Sequence, residues 1–456
     1  MSTSAAAAAP QAGPSRSLPT KRPLSGIFAI DKPSGPTSMA LLEELKPLFA
    51  SSSLFLNPDG SLPDNRKPSN KNRRGRGGGG GGKWGKQSGR KGEALPPKLG
   101  QGGTLDPLAS GVLVIGVGEG TKKLQSYLEG GKEYLTVGLL GSSTTSYDAL
   151  EPVMYREPHA HVTPDNLASH LSKFRGSILQ APPLYSALRI DGMRLFEYAR
   201  QGKELPRPIE KRKVEIKELK LNAWYPAGSH EWKPPAKEVP DEEKALVGKV
   251  RQLAGEKVAQ APATEETSKA NEDTNSAKQG SNGADQGGDP AAFGLIMSVG
   301  GGTYVRSIVH DLAQEAKSAA HVVALRRTRQ GRWATDRWYV THTDPSTSDW
   351  TDKEELAGPP QPGQHGLGSG AVETVKGNCI RWSVFEEAIK AMKNGADADE
   401  SGDAAANGEP VPKKRRVEGA VSRAEGLQEW ERILLEHDVS TRQYRSLLNV
   451  SMRYDY

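Results

Sequence analysis

The stretch GQGGTLDPLASGVLVIGVG, residues 100–118, decides how this chain presents its chemistry. Its second half is an apolar, β-branched run between glycines, which predicts a buried strand over 111–118. Its first half sets Asp106 behind two glycines and directly before a proline. Proline forces the preceding residue into an extended backbone, and glycine lets a ligand approach closely. The pattern predicts a carboxylate aimed outward from a fixed loop; an Asp-Pro turn whose aspartate bonds only its own backbone is the alternative.

The elements around this stretch mix strands and helices without a regular βαβ alternation. Further strands are predicted over 26–35, 132–141, 213–225 and 293–302. The last two alternate partly, and we expect them to pair across a long polar insertion, because loop closure grows slowly in cost with length. Thr163 followed by Pro164 predicts the start of a helix over 162–174. The mixture predicts an α+β domain.

A second helix is predicted over 303–316. Six residues form one apolar stripe at helical spacing: Val305, Ile308, Val309, Leu312, Ala313 and Ala316. Thr303 is placed to cap this helix. Arg306 falls in its first turn, where the helix dipole disfavours a cation, so a carboxylate or phosphate is expected close to it. The alternative is an exposed, flexible arginine.

Composition limits how much of the chain can fold. Of 456 residues, 35% are hydrophobic, 51 are glycine and 32 are proline, so we expect one sizeable domain with disordered insertions and tails. No run approaches the roughly 18 apolar residues of a membrane span, which predicts a soluble protein. The single cysteine, Cys379, excludes an intramolecular disulfide and fits a reducing compartment.

The net charge of +6 is unevenly distributed. Residues 66–91 carry lysine and arginine without one acid, which suits a polyanion through phosphate contacts. A solvated loop with no partner is the alternative. The acid-free residues 1–25 suggest a disordered tail or a mitochondrial presequence. PKKRRV at 412–417 has the form of a nuclear import signal, so we expect a nuclear protein, with the mitochondrion and cytoplasm as alternatives.

These patterns divide the chain into segments. We expect a tail over 1–25, a main domain over 26–345 with disordered insertions at 51–95 and 228–290, a linker over 346–374, and a helical extension over 375–456 with disorder at 393–425.

Two other motifs are excluded as cofactor sites. GVGEGTKK at 116–123 lacks the Gly-Lys-Ser/Thr order of a phosphate loop and the third glycine of a dinucleotide fingerprint. His159, His161 and His170 have no acid or cysteine cluster near them in sequence, so we expect no metal site. We expect a packing or surface role for His310.

Five blocks of the chain match a known family in order and spacing. They are residues 26–38, 102–122, 132–153, 180–202 and 301–333. The chain resembles the TruB family of pseudouridine synthases, and within it the eukaryotic and fungal tRNA pseudouridine-55 synthases. The resemblance implies the pseudouridine synthase fold, a mixed and mostly antiparallel central sheet flanked by helices. It also implies isomerisation of a flipped-out uridine in the tRNA T-loop, without a cofactor.

The resemblance assigns roles residue by residue. It implies Asp106 as the nucleophile, Tyr134 as the ring that stacks on the base and takes part in proton transfer, and Arg306 as the basic partner of the aspartate. It implies substrate contacts, direct or through the pocket, for Gln101, Asp148, Tyr185, Arg189, Tyr304, Leu325, Arg326 and Arg327; the hairpin 182–189, with Tyr185 and Arg189, and the pair Arg326 and Arg327 are expected at the RNA backbone. Gln101 stands where bacterial members have histidine, so the resemblance does not carry over the part that this histidine plays in base flipping.

The expected partner is the T-arm of tRNA, with messenger RNA as a further candidate, and the protein is expected to be a monomer. Two other functions stay open: a non-catalytic tRNA-binding or folding protein, and a dyskerin-type guided synthase of ribosomal RNA. No C-terminal RNA-binding module is recognisable in 375–456, which counts against the guided enzyme.

Overall fold

The computed structural model describes residues 22–61, 96–181, 189–194, 211–241, 288–343, 350–356, 372–402 and 427–437, with a few isolated positions between them. The predictions for 1–21, for the basic run 66–91 and for the import motif 412–417 lie outside the described residues.

The described strands and helices follow one another in this order. The strands are β1 (Gly26–Lys32), β2 (Leu99–Gln101), β3 (Ser110–Val117), β4 (Lys132–Leu140), β5 (Ser142–Thr144), β6 (Val153–Arg156), β7 (Gly176–Gln180), β8 (Arg189–Ile190), β9 (Met193–Arg194), β10 (Arg212–Tyr225), β11 (Ala292–Val299), β12 (Ala320–Gln330), β13 (Trp333–Ala334), β14 (Arg337–Thr343), β15 (Trp350–Leu356), β16 (Val372–Val375) and β17 (Ile380–Arg381). The helices are α1 (Ser38–Ser51), α2 (Leu124–Glu129), α3 (Pro164–His170), α4 (Val305–Glu315), α5 (Trp382–Gly402) and α6 (Glu429–His437).

A ten-stranded sheet organises the domain. Its strand order is β17-β1-β3-β12-β4-β11-β10-β7, with β13 added to β12 and β2 added to β3. Only β1–β17 and β3–β12 are parallel among its pairs, so the sheet is mixed and mostly antiparallel. The α+β prediction is confirmed, as is the predicted pairing of β10 with β11 across the polar insertion.

One face of the sheet carries the main core. Alternate residues of the central strands, such as Phe28, Ile115 and Met297, point to the same cluster as the apolar stripe of α4. Gly111 marks the point where β3 meets β12, because a Cβ there would lie 2.2 Å from the Arg327 carbonyl oxygen. The residue type at 111 therefore sets how closely the strand after the Asp106 loop approaches β12.

The two predicted helix starts have different outcomes. Thr163 caps α3 as predicted, accepting a hydrogen bond from the Asn166 amide. Thr303 does not cap α4, because the cap position is Tyr304. The Tyr304 amide donates to Gln180 Oε1 at 2.8 Å, and Gln180 Nε2 donates to the Tyr304 carbonyl at 2.9 Å. A side chain from β7 thus holds the start of α4.

The predicted insertions and linker are shorter than expected. Leu54 and Phe55 are fully buried, so 51–95 is part of the core at its start. Val239 is buried and pairs with Val153, which places the first part of 228–290 on the domain. Strand β15 lies within the expected linker, and α5 continues beyond residue 393, where disorder was predicted. Local composition missed Leu54, Phe55 and Val239 because residues distant in sequence bury them.

The C-terminal helices α5 and α6 complete the core above α1. The Trp430 ring stacks on Phe49 with centroids 5.6 Å apart and an interplanar angle of 4°. Phe49 also stacks on Phe55 and contacts Phe385. Buried Glu431 accepts a hydrogen bond from the Ser52 hydroxyl. Within the part of the chain that the structure describes, no helix is long and apolar enough to cross a membrane.

We expect Trp430→Ala to lower the free energy of unfolding by about 3–5 kcal/mol, because it opens a cavity beside Phe49 in an aromatic cluster. Urea unfolding monitored by circular dichroism measures the change. Arg432→Ala, on an exposed position of the same helix, is the control and should stay within about 0.5 kcal/mol of wild type. If both variants change the free energy of unfolding by less than about 0.5 kcal/mol, the Trp430 ring does not stabilise the core.

Candidate active site

The Asp106 loop is fixed at both ends. Ser38, the first residue of α1, accepts a hydrogen bond from the Leu105 amide at 2.9 Å and donates to the Leu105 carbonyl at 3.0 Å. On the other side, the Ala109 amide donates to the Asp106 carbonyl at 3.1 Å and closes a tight turn. The Asp106 side chain is 37% exposed. The loop therefore presents a carboxylate to solvent from a rigid backbone.

A buried lysine holds the underside of this turn. Lys32, at the end of β1, is fully buried and donates to the carbonyls of Pro33, Pro107 and Ala109 at 2.9, 3.3 and 2.7 Å. Burial lowers the pKa of Lys32 to about 8, against the opposing pull of the Asp106 charge. Sequence reasoning missed Lys32. Its signal is that strand alternation places it on the same core-facing side as Phe28.

Arg327 and Gln330 support the glycine half of the loop from β12. Arg327 is 1% exposed and donates to the carbonyls of Val112 and Gly103 at 2.7 and 2.9 Å. Gln330 Nε2 donates to the Gly102 carbonyl at 2.6 Å. The expectation that Arg327 meets the RNA backbone is wrong for this geometry, because its guanidinium is buried and already bonded to backbone oxygens. It stabilises the loop instead.

Arg326 points to the other side of β12 and pairs with an acid. Its guanidinium lies 2.7 and 3.2 Å from the two carboxylate oxygens of Asp31 and 3.4 Å from the Ser110 hydroxyl. The side chain is partly exposed. An RNA contact by Arg326 stays a prediction, and it would have to share the guanidinium with Asp31.

Arg306 joins two carboxylates at the start of α4. Its Nε lies 2.9 Å from Asp106 Oδ2, and its Nη1 lies 3.4 Å from Asp148 Oδ2. The same Nη1 donates to the Ser146 carbonyl. Only 7% of the Arg306 side chain is exposed. The expectation that this first-turn arginine has an anion beside it is confirmed, and the structure supplies two.

Asp148 is the buried member of this group. Its Oδ1 accepts hydrogen bonds from the Ser146 hydroxyl at 2.9 Å and from the Leu150 amide at 3.1 Å. Burial raises the pKa of Asp148, and the adjacent Arg306 charge acts against that rise. The group runs from the exposed carboxylate of Asp106, through the buried guanidinium of Arg306, to the buried carboxylate of Asp148. Asp106 is therefore the end of this group that a substrate can reach.

Tyr134 lies on the core side of β4. It is opposite Arg327 on one neighbouring strand and Met297 on the other, and it belongs to the cluster that packs against α4. Leu325, on β12, lines a cavity of about 150 Å³ together with Leu108, two residues after Asp106. The structure thus places Tyr134 on the sheet face that carries Arg306, and Leu325 beside the Asp106 loop.

The remaining predicted site residues are placed as follows. Gln101 Nε2 donates to the Thr104 hydroxyl at 2.9 Å, while its buried Oε1 has no hydrogen-bond partner. Tyr304 is half-buried at the start of α4. Arg189 lies in β8, and Tyr185 lies outside the described residues. Among the residues with described positions, no group of three His, Cys, Asp or Glu side chains could hold a metal ion.

Comparisons with known proteins relate this chain to one protein family. A model of the TruB family pseudouridylate synthase, N-terminal domain, matches residues 91–232. The chain is 38% identical to tRNA pseudouridine synthase 4 of Schizosaccharomyces pombe over 68% of this chain and 80% of the relative. It is 35% identical to tRNA pseudouridine synthase 4 of Saccharomyces cerevisiae over 73% of this chain and 82% of the relative.

Solved structures give a more distant likeness. A crystal structure of a Cbf5-Nop10-Gar1 complex aligns with 71% of this chain and 56% of its own, at 20% identity and a TM-score of 0.33.

Two buried lysines predict a pH dependence of stability. Burial lowers the pKa of both Lys32 and Lys132 to about 8, from 10.5 in the unfolded chain. Between these values the unfolded chain binds more protons, so the free energy of unfolding should rise from pH 8 to pH 10.5. Urea unfolding across this range measures the slope, which should be shallower in Lys32→Met.

The control for this measurement is Lys98→Met, which removes an exposed lysine. It should leave the slope as in wild type. A slope that is equally steep in Lys32→Met and wild type would contradict the role given to burial of Lys32.

Proposed function

The chain belongs to the TruB family of pseudouridine synthases, and from this premise we propose that it converts uridine 55 in the T-loop of tRNA to pseudouridine, with Asp106 as the nucleophile. The observation that carries the proposal is the ion pair of Asp106 with buried Arg306 at 2.9 Å. It holds an accessible carboxylate in one orientation at the end of a rigid turn. The curated fungal relatives named tRNA pseudouridine synthase 4 support tRNA as the substrate class.

The reaction requires a carboxylate beside the ribose. The bond from N1 of uracil to C1′ breaks, the base turns, and C5 forms the new bond to C1′; C5 loses a proton and N1 gains one, so the product has the same atoms as the substrate. C1′ gains positive character as the first bond breaks, and an adjacent anion stabilises it or captures it covalently. We favour action of Asp106 at the sugar, through a glycal-like intermediate: the C2′ proton passes to the Asp106 carboxylate as the N1–C1′ bond breaks, and it returns to C2′ when C5 bonds to C1′.

Arg306 orients the nucleophile in this scheme. A guanidinium that bonds a carboxylate through one nitrogen and a second acid through another cannot rotate without losing both contacts. Asp148 holds the far side of Arg306 and leaves the exposed end of the group to the substrate. The geometry therefore supports a positioned nucleophile more than a general charge at the surface.

Tyr134 and Leu325 are proposed to bind the base. Tyr134 shares the sheet face with α4, and its ring would stack on the uracil while its hydroxyl takes part in proton transfer. Leu325 lines the cavity beside the Asp106 loop, in keeping with a backbone contact to the uracil edge. A uridine in a folded loop reaches this depth only after leaving its stack, which costs a few kcal/mol.

The finer points of the proposal concern the RNA and the cell. We propose the T-arm as the recognised element, read by shape and phosphate contacts, with messenger RNA sites as further substrates of a monomeric enzyme. The basic run 66–91 is proposed to add sequence-independent affinity. The motif at 412–417 supports a nuclear location, with the mitochondrion and cytoplasm as the other compartments.

The nucleophile assignment predicts the behaviour of two variants. Asp106→Asn should lower the single-turnover rate on a T-stem-loop RNA by at least about 1000-fold, because the amide cannot replace the anion. Arg306→Lys should lower it by about 100-fold or more, because an ammonium cannot bond two acids as a planar fork does. Pseudouridine formation is followed by tritium release from C5-labelled RNA.

Two matched variants provide the control. Asp336 and Arg381 form an ion pair at 2.9 Å outside this group, so Asp336→Asn and Arg381→Lys should keep the wild-type rate. Near-normal turnover in Asp106→Asn would remove the nucleophile assignment. If Asp106→Asn also rescues cells that lack the protein, the non-catalytic tRNA-binding function is favoured instead.

Deletion of 66–91 should weaken tRNA binding uniformly and flatten the dependence of affinity on salt, because fewer counterions are released. Filter binding between 50 and 200 mM salt measures the slope. A variant in which glycine and serine replace the lysines and arginines at constant length separates charge from chain length. An unchanged slope in both variants would refute this role.

A further inference from the structure

An aromatic stack lies behind Arg306, on the same face of α4. His310 follows Arg306 by four residues, which places both side chains on one side of the helix. Both residues are buried. The His310 ring stacks on Tyr147 with centroids 3.8 Å apart and an interplanar angle of 14°, and its Nδ1 lies 3.2 Å from the Ser143 hydroxyl. One helix face therefore contacts the 143–148 segment at four residues: Ser143, Ser146, Tyr147 and Asp148.

Tyr147 has a backbone conformation that its residue type disfavours. Its φ is +63°, in the left-handed region that glycine enters freely and bulky residues rarely adopt. The residue is 2% exposed. A turn that needs this conformation is ordinarily built with glycine. A large ring held there by a close stack indicates that the ring itself is required.

The neighbours of Tyr147 are the groups that hold Arg306. The Ser146 carbonyl accepts from Arg306, and the Asp148 carboxylate faces the same nitrogen. The Tyr147 carbonyl accepts from the Val322 amide at 2.9 Å, and the Ala149 amide donates to the Val322 carbonyl at 2.9 Å. The turn is thus fastened to β12 by its backbone and to α4 by the Tyr147 ring. A displacement of the ring would move both contacts of Arg306.

We propose that Tyr147 and His310 are positioning residues of the isomerisation, which set the orientation of Asp106 through Ser146, Asp148 and Arg306. The inference rests on the proposed function of the Asp106 site. Neither residue touches the substrate. Their stack holds the turn at Ser146 and Asp148, which in turn holds the Arg306 guanidinium. The guanidinium then orients the Asp106 carboxylate. A misplacement of about 1 Å along such a chain costs about 100-fold in rate.

The first test replaces the ring and retains the backbone conformation. Tyr147→Gly accepts the left-handed φ without strain but removes the stack. We expect its single-turnover rate on the T-stem-loop RNA to fall by about 10- to 100-fold, with the dissociation constant for the RNA within about threefold of wild type. Tyr147→Phe keeps the stack and should keep the rate within about threefold. A wild-type rate in Tyr147→Gly would overturn the proposal.

The second test asks whether the stack acts through Arg306. His310→Ala should lower the single-turnover rate by about 10-fold or more in the wild-type background, and by less than about twofold in the Arg306→Lys background. Residues that act in one chain are not additive. Independent, multiplying effects of the two substitutions would overturn the proposal. If Tyr147→Gly fails to fold, His310→Gln replaces it, because glutamine removes the aromatic ring and is compatible with a helix. Its single-turnover rate should fall by about 10-fold or more, and a wild-type rate would overturn the proposal.

A stability control separates positioning from packing. Phe385 is fully buried in the aromatic cluster of α1, α5 and α6, away from the 143–148 segment. Phe385→Leu should lower the melting temperature and leave the single-turnover rate of the folded enzyme unchanged. An inactive wild type, or equal rates in wild type and Asp106→Asn, would contradict the proposed function. An active wild type with an active Tyr147→Gly would contradict only the positioning role.

Discussion

A guanidinium buried at the start of a helix constrains the rest of this site. The helix dipole disfavours a cation there, and burial removes the water that would solvate it. Arg306 is stable in that place only because Asp106 and Asp148 lie on two sides of it and the Ser146 carbonyl accepts a further hydrogen bond from its Nη1. The loops that carry these acids must therefore be rigid. Ser38, Lys32 and Arg327 hold one of them, and Tyr147 and Val322 hold the other.

The parts of the fold that depend on local pattern could be predicted from the sequence. Five strands of the central sheet (β1, β3, β4, β10 and β11), the apolar stripe of α4 and the anion beside Arg306 follow from periodicity and the helix dipole, whereas the central strand β12 was not predicted. The Thr303 cap was wrong because Gln180, from a distant strand, binds the same helix start. The RNA contact of Arg327 was wrong because strand register turns its side chain under the Asp106 loop. Such long-range contacts leave no local signature.

Family resemblance could identify the site residues, but it could not tell which of them are accessible to RNA and which are buried. Resemblance placed Arg326 and Arg327 together as RNA contacts, whereas the structure gives one a partner in Asp31 and buries the other. Lys32 and Tyr147 were not singled out, because their importance lies in burial and in a left-handed backbone angle. Each becomes visible only when the residues that surround it in space are known.

The stacking of Trp430 on Phe49 and the pairing of β17 with β1 have a consequence for biosynthesis. Strand β1 and helix α1 gain their contacts with β17 and α6 only when residues near 380 and 430 have been translated. Until then the part of the α1 surface that carries Phe49 lacks the Trp430 and Phe385 rings. Folding of this domain is therefore complete only after residue 430 has been translated, and chains that terminate before it leave the Phe49 ring without its Trp430 partner, an exposed aromatic surface of the kind that chaperones and proteases bind.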